Sequence, residues 1–197
     1  MSLLLASASP IRRALLHRAG VPHEAIPARV DEAALRDALA AEDAKPRDMA
    51  DALAEAKARK VASRRREDMV IGCDQILEFE GEAIGKASDR GALAAQLARM
   101  SGKTHVLHSA AVIYEEGAPV WRHVGTVRMT MRALSPGYLS SYLDRNWPGV
   151  ADCVGGYRIE EEGVRLFERI DGSYFDVLGL PLPEILSYLA RRGVVEG

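Results

Sequence analysis

Met69-Val70-Ile71-Gly72-Cys73 presents no charged or strongly polar side chain to either face of a strand, so it has to be covered on both. Such a segment belongs inside a sheet with helices on each side. Leu3-Leu4-Leu5-Ala6 is a shorter segment of the same kind. After it, Ser9 reads as an N-cap, Pro10 as the first residue of a helix over 10–19, and Gly20 as the residue past its end. The chain therefore begins strand, tight turn, helix. Residues 23–27 read as extended, and 31–41 and 47–65, rich in Ala, Leu, Glu and Lys, as helices leading into the strand at 69–73. Strand and helix alternate, which predicts an α/β fold.

A second part follows. Gln75–Phe79 reads as extended, Gly81 as a turn, 89–100 as a helix, and 104–114 and 119–133 as long strands joined at Glu115-Glu116-Gly117. Ser135-Pro136 opens a helix to about Arg145, 164–170 reads as a strand, and 181–192 as an amphipathic closing helix. The 197 residues, 48% of them apolar, suffice for one domain spanning 1–197 or two closely packed lobes. No repeat, linker or low-complexity tract interrupts them.

Composition removes several function classes. The formal net charge is -2, without the basic excess needed to neutralise a nucleic-acid backbone, so any phosphate binding has to be local. Cys73 and Cys153 form no CxxC pair, which argues against a disulfide framework or a zinc ribbon and fits a reducing compartment. Residues 3–6 are too few for a signal peptide, and no apolar run approaches the roughly 20 residues of a membrane helix. The expected location is the cytoplasm, with neither a nucleic acid nor a membrane as partner.

Two places carry candidate chemistry. In Ser7-Ala8-Ser9-Pro10-Ile11-Arg12-Arg13 a strand hands over to a helix N-terminus, whose unpaired N–H groups favour an anion, and two hydroxyls and two guanidiniums are added. A capped surface helix with solvated arginines accounts for the same residues. Asp74 directly follows the buried strand, where ligands of α/β sheets bind, and a carboxylate there can hold a metal ion or orient water; a plain turn aspartate fits as well. Glu55-Ala56-Lys57 on the preceding helix and Gly85-Lys86 after a short hairpin could converge with Asp74 on one phosphate-metal cluster, or lie solvated. His105 and His108, three apart on a strand, point to opposite faces and make no metal pair. No HExxH, G-x-S-x-G or Walker-type loop occurs.

Taken in order, Ser7-x-Ser9-Pro10-x-Arg12-Arg13, Val30-Asp31-Glu32, Glu55-x-Lys57-Ala58, Ile71-Gly72-x-Asp74-Gln75, Gly85-Lys86, Ser101-Gly102-Lys103-Thr104-His105, and Gly172-Ser173-Tyr174 before Val177-x-Gly179-Leu180-Pro181-Leu182 resemble the Maf family of nucleotide pyrophosphatases. The resemblance covers about residues 3–190 and implies a mixed twisted sheet flanked by helices, similar to inosine triphosphate pyrophosphatases, usually as a homodimer. It implies hydrolysis of a nucleoside triphosphate to monophosphate and diphosphate with a divalent cation, Mg²⁺, Mn²⁺ or Co²⁺. Asp74 looks like the family's proton acceptor; Ser7, Arg12, Arg13, Lys57 and Lys86 look like its phosphate-binding set; Glu32, with Asp74, is the acidic, metal-linked member.

Base preference in the family is carried at three places, here Ile11, Gln75 and Glu160. Gln75, Cys153 and Glu160 resemble the branch that hydrolyses 7-methyl-GTP, and a carboxylate such as Glu160 can accept from guanine N1–H and the N2 amine. Ile11 stands where that branch has Trp, which removes stacking on a cationic ring, and Ala87 follows Lys86 where Pro is usual. Gly172-Ser173-Tyr174 looks more like the branch for dTTP and UTP. A non-catalytic nucleotide-binding regulator of septum formation is the alternative outside enzymology.

Overall fold

The computed structural model describes residues 1–196. Contacts divide the chain into two compact units, one of Met1–Gln75, His108–Gly125 and Ser173 onward, the other of Ile76–Leu107 and Thr126–Gly172.

The first unit opens with β1 (Leu3–Ala6), α1 (Pro10–Arg18) and β2 (Glu24–Ala25), then α2 (Glu32–Ala41), α3 (Pro46–Ala62) and β3 (Met69–Phe79). β1 runs parallel to β2 and to β3, with Leu3 beside Met69 and Ala6 beside Gly72. Parallel neighbours need long crossovers, and the helices supply them. Leu4, Leu5, Val70 and Ile71 are fully buried, as two-faced apolar strands require. α3 covers them with Leu53, Ala54 and Ala58, all closed to solvent. The helix comes unusually near at Gly72, where a Cβ would fall on the carbonyl oxygen of Ala54 and the backbone nitrogen of Ala58. Only a residue without a side chain permits that approach. This unit also receives α6 (Tyr174–Val177) and α7 (Leu182–Arg191), whose Ile185 and Leu189 are fully buried.

β3 and two further long strands, β5 (Thr104–Glu115) and β6 (Ala118–Met131), pass from one unit to the other, changing at Gln75/Ile76, Leu107/His108 and Gly125/Thr126. With β4 (Glu82–Ile84) and β7 (Phe167–Asp171) they complete a seven-stranded mixed sheet in the order β2-β1-β3-β5-β6-β7, β4 pairing with β3. β4 is antiparallel to β3, and β7 to β6.

The second unit also holds α4 (Arg90–Met100) and α5 (Pro136–Asn146). Leu93, Leu97, Met100, Tyr142 and Leu143 form its core, and the Tyr142 hydroxyl donates to the Gly156 carbonyl at 3.0 Å. His105 is buried here, with its Nε2 2.6 Å from the Tyr157 hydroxyl; burial lowers its pKa to about 4, so the ring is neutral.

The mixed α/β sheet agrees with the sequence reading, with three differences. Met69–Phe79 is one continuous strand rather than two segments, so Asp74 and Gln75 lie within it, their side chains engaged by Lys57 and Ser109. The expected strand at 164–170 is a 3-10 turn over Glu162–Leu166 followed by β7 at Phe167–Asp171. Arg145, with bonds of 2.6–3.2 Å, and Asn146 at 3.0 Å both donate to the Glu162 carboxylate, which holds that turn in place of a strand. The short helix Tyr174–Val177, capped by Ser173, was hidden in a stretch too brief for periodicity. Among the described residues no helix is long and apolar enough to cross a membrane.

Candidate functional site

β1 ends in a turn whose hydroxyls shape it. The Ser7 N–H donates to Leu5 O at 2.9 Å, Ser7 Oγ accepts from the Ser9 N–H at 3.2 Å, and Ser9 Oγ accepts from the Arg12 N–H at 3.5 Å. Pro10 then starts α1 with the φ that a first helical residue needs. Ser7 is buried, whereas Arg13 is exposed. Arg12 turns inward. Its Nε donates to Gly179 O at 2.8 Å and its Nη1 to Cys73 O at 3.0 Å, joining α1, β3 and the segment after α6. Gly179, at φ +84°, admits the guanidinium against its Cα.

The parallel register that sets Ala6 beside Gly72 brings the Ser7 turn, past the end of β1, level with the part of β3 that carries Asp74. Asp74 is 3% exposed. The close approach of α3 at Gly72 places Lys57, one position before Ala58, over Asp74: its Nζ lies 2.6 Å from Asp74 Oδ1 and 2.8 Å from Glu32 Oε1. Asp31 caps α2 by accepting from the Ala34 N–H at 3.0 Å, which puts Glu32 in the first turn. One turn on, Arg36 Nη2 stands 3.6 Å from Asp74 Oδ2. Two carboxylates and two cations thus alternate around Asp74, midway along β3. Asp74 Oδ2 and Arg36 Nε are buried without a hydrogen-bond partner.

Gln75 points its amide nitrogen at three acceptors: Ser109 Oγ at 2.9 Å, Asp176 O at 2.8 Å and Val177 O at 3.1 Å. Ser109 Oγ itself donates to Asp176 O at 2.6 Å, so around Gln75 Nε2 every partner accepts, and the amide orientation is fixed. The Asp176 side chain is buried where a Cβ on Gly125 would meet its carboxyl group. Burial, then the charge of Glu184, pushes its pKa up to about 6.

The structure therefore gathers Asp74, Lys57 and Glu32 into one cluster, with Ser7 and Arg12 at the neighbouring strand end. Glu55 does not join them: it accepts from the Tyr114 hydroxyl and from Arg122, each at 2.9 Å. Ile11 is half-buried on α1. Lys86, just past β4, and Glu160 are exposed residues of the second unit. Arg36 and Asp176 were not singled out from sequence. For Arg36 a signal existed, since a residue four after Glu32 shares its helix face; Asp176 lay between Phe175 and Val177 with none. Among the described residues no group of three or more His, Cys, Asp and Glu side chains could hold a metal ion.

Comparison with known proteins identifies the family. The family described as Maf-like protein matches residues 2–192. A nucleoside triphosphate pyrophosphatase of Ruegeria pomeroyi is 56% identical over 98% of each chain. One of Roseobacter denitrificans is 53% identical, over 97% of this chain and 96% of its own. A 7-methyl-GTP pyrophosphatase of Mesorhizobium japonicum is 45% identical, over 99% and 98% respectively. With a family match across nearly its whole length, this chain belongs to the Maf family.

Proposed function

We propose that this chain hydrolyses a nucleoside triphosphate between its α- and β-phosphates, releasing a nucleoside monophosphate and diphosphate. The observation that carries the reading is the buried Asp74 carboxylate, held by Lys57 at 2.6 Å beside the Ser7 turn and the start of α1. The pyrophosphatase names of its relatives support it.

Asp74 is the proton acceptor. Water attacks the α-phosphorus, its proton passes to Asp74, and the bond to the bridging oxygen of the β-phosphate breaks as diphosphate departs. Ser7, Arg12, Arg13, Lys57 and Lys86 form the phosphate-binding set. Arg12 still has N–H groups beyond the two bonds it makes to backbone carbonyls, and α1 adds its N-terminal N–H groups. Fixed donors of this kind offset the charge that develops on a departing diphosphate without reorganising.

A divalent cation fits the acidic pair. Glu32 and Asp74 converge on one positive centre, the Lys57 ammonium, and Asp74 Oδ2 is buried with no hydrogen-bond partner. Hard ions such as Mg²⁺ are held by one or two carboxylates with substrate phosphates and water. Bound there, the ion supplies charge neutralisation on the phosphate oxygens.

For the base we favour 7-methyl-GTP or another modified nucleotide over dTTP and UTP, with Ile11, Gln75 and Glu160 setting the preference. The 7-methyl-GTP pyrophosphatase among its relatives supports this; Gln75, whose amide nitrogen is committed, leaves only its carbonyl oxygen to accept from a base N–H, which guanine and the pyrimidines both carry. Cytoplasmic residence and a homodimer belong to the same proposal; the free thiols of Cys73 and Cys153 support the first. The deciding experiment is a panel of triphosphates, 7-methyl-GTP, GTP, dTTP and UTP among them, assayed with Mg²⁺, Mn²⁺ and Co²⁺. Diphosphate as product supports the reading, and release of inorganic phosphate overturns it. Asp74→Asn is expected to lower kcat by roughly 10²–10⁴-fold.

A further inference from the structure

We infer that Arg36 is a further phosphate-binding residue of this site, one that leaves Asp74 for the substrate. The inference rests on the triphosphate reading above. At 3.6 Å the contact between Arg36 Nη2 and Asp74 Oδ2 is an ion pair but longer than a hydrogen bond. Arg36 Nε, a strong donor, and Asp74 Oδ2, a strong acceptor, are both buried without hydrogen-bond partners. Within one ion pair each side chain thus keeps an unmet hydrogen-bonding atom, which marks a contact held by charge while its hydrogen-bonding capacity goes unused.

Charge counting explains why it forms. Asp74 and Glu32 carry two negative charges, and Lys57 with Arg36 carry two positive ones, so the cluster is balanced before any anion arrives. A polyphosphate upsets that balance. Lys57 is fixed between two carboxylates, and Arg12 is tied to two backbone carbonyls. Arg36 is the cation with the weakest hold: its side chain is 25% exposed, and its planar fork of donors matches a phosphate bidentately.

The helix that carries it is suited to such an exchange. α2 has no buried residue, and it adjoins α3. Leu35 and Leu39 are only half-buried, and the ion pairs of Glu32 with Lys57 and of Arg36 with Asp74 add to its hold on the rest of the unit. Elements with few buried apolar contacts sit at the low end of local stability. When Arg36 moves onto a phosphate oxygen, Asp74 Oδ2 loses its cationic neighbour and is left open to a ligand of the site.

The test compares the full-length wild type with Arg36→Gln and Arg36→Lys. It reads KM and kcat on the best triphosphate, and affinity for inorganic diphosphate by calorimetry. Arg36→Gln is expected to raise KM and weaken diphosphate binding about tenfold or more, the loss of a charge-assisted bond, while its melting temperature stays near wild type. Arg36→Lys, which keeps the charge but not the fork, falls between. If Arg36→Gln keeps its KM and diphosphate affinity, the inference fails. A shifted pH profile alongside that result would assign Arg36 to neutralising Asp74 alone. Diphosphate binding needs no turnover: a wild type that cleaves no triphosphate overturns the functional reading, whereas equal diphosphate affinity of wild type and Arg36→Gln overturns this one. Should Arg36→Gln fold poorly, Arg36→Lys carries the same comparison.

Discussion

Lys57 Nζ and Asp74 Oδ1 stand 2.6 Å apart with both side chains nearly closed to solvent, and the same ammonium reaches Glu32 at 2.8 Å. The two carboxylates tolerate each other because one cation lies between them. The burial is unequal, however: Asp74 has its side chain 5% exposed and Glu32 46%. Removing Lys57 therefore costs Asp74 far more than Glu32, leaving it only the longer 3.6 Å contact to Arg36, since a poorly compensated charge is costly only where water cannot reach it.

Lys57→Met is accordingly expected to lower unfolding free energy by about 3–5 kcal/mol, the range for breaking a buried pair from one side. The double variant Lys57→Met/Asp74→Asn should recover part of that loss, because the stranded charge goes too. Glu32→Gln, at a half-exposed position, should change stability by under about 1 kcal/mol. Denaturant unfolding of the set decides: single and double variants of equal stability would mean that the pair is not coupled.

How α3 meets β3 sets up a second expectation. Gly72→Ala would push a methyl group into the backbone of Ala54 and Ala58, where no flexible side chain can yield. Overpacking of this kind destabilises by about 1–3 kcal/mol. It would also lift Lys57 away from Asp74, so turnover should fall by more than the melting temperature alone explains. A variant with unchanged melting and turnover would show that the helix can retreat freely.

Much of this was legible beforehand, for physical reasons that differ by residue. The apolar strands announced themselves because Leu4, Leu5, Val70 and Ile71 had no polar face to offer, and Ser9-Pro10 marked where α1 begins. Asp74 could be suspected because it follows the apolar run 69–73, although the strand continues through it to Phe79. What it touches could not, since Lys57 and Glu32 reach it only through the helix approach that Gly72 permits. Arg12 read as a phosphate ligand on a helix start, yet its bonds to Gly179 O and Cys73 O link positions far apart in the chain. No local pattern encodes partners at such separations. The same holds for Gln75 and Asp176.

Gln75 ties β3 to the segment after β7 through the carbonyls of Asp176 and Val177, two residues short of the Gly179 carbonyl that holds Arg12. Gln75→Ala leaves those carbonyls and Ser109 with one donor fewer. A loss of about 1–3 kcal/mol in stability is expected. Because Arg12 depends on the same segment, KM should rise as well. A substitution that altered base preference with no loss of stability would assign Gln75 to the base alone and not to this brace.

Asp176 sets the sign of a pH effect. Burial, reinforced by the charge of Glu184, pushes its carboxyl up to about 6, above the roughly 3.9 of an unfolded chain. The folded protein thus holds this proton more tightly than the unfolded one. The stabilisation is complete below the unfolded value and is lost as pH rises through about 6. Above that, an ionised Asp176 sits beside Gly125 with Oδ1 unpartnered and Glu184 nearby. Asp176→Asn keeps the shape and removes the titration. It should therefore flatten stability between pH 4 and 6, and exceed wild type at pH 7.5 by on the order of 2 kcal/mol. Urea unfolding at pH 5 and 7.5 tests this: wild type should lose stability relative to Asp176→Asn across that interval, and a gain instead would mean that the carboxylate has a cationic partner when ionised.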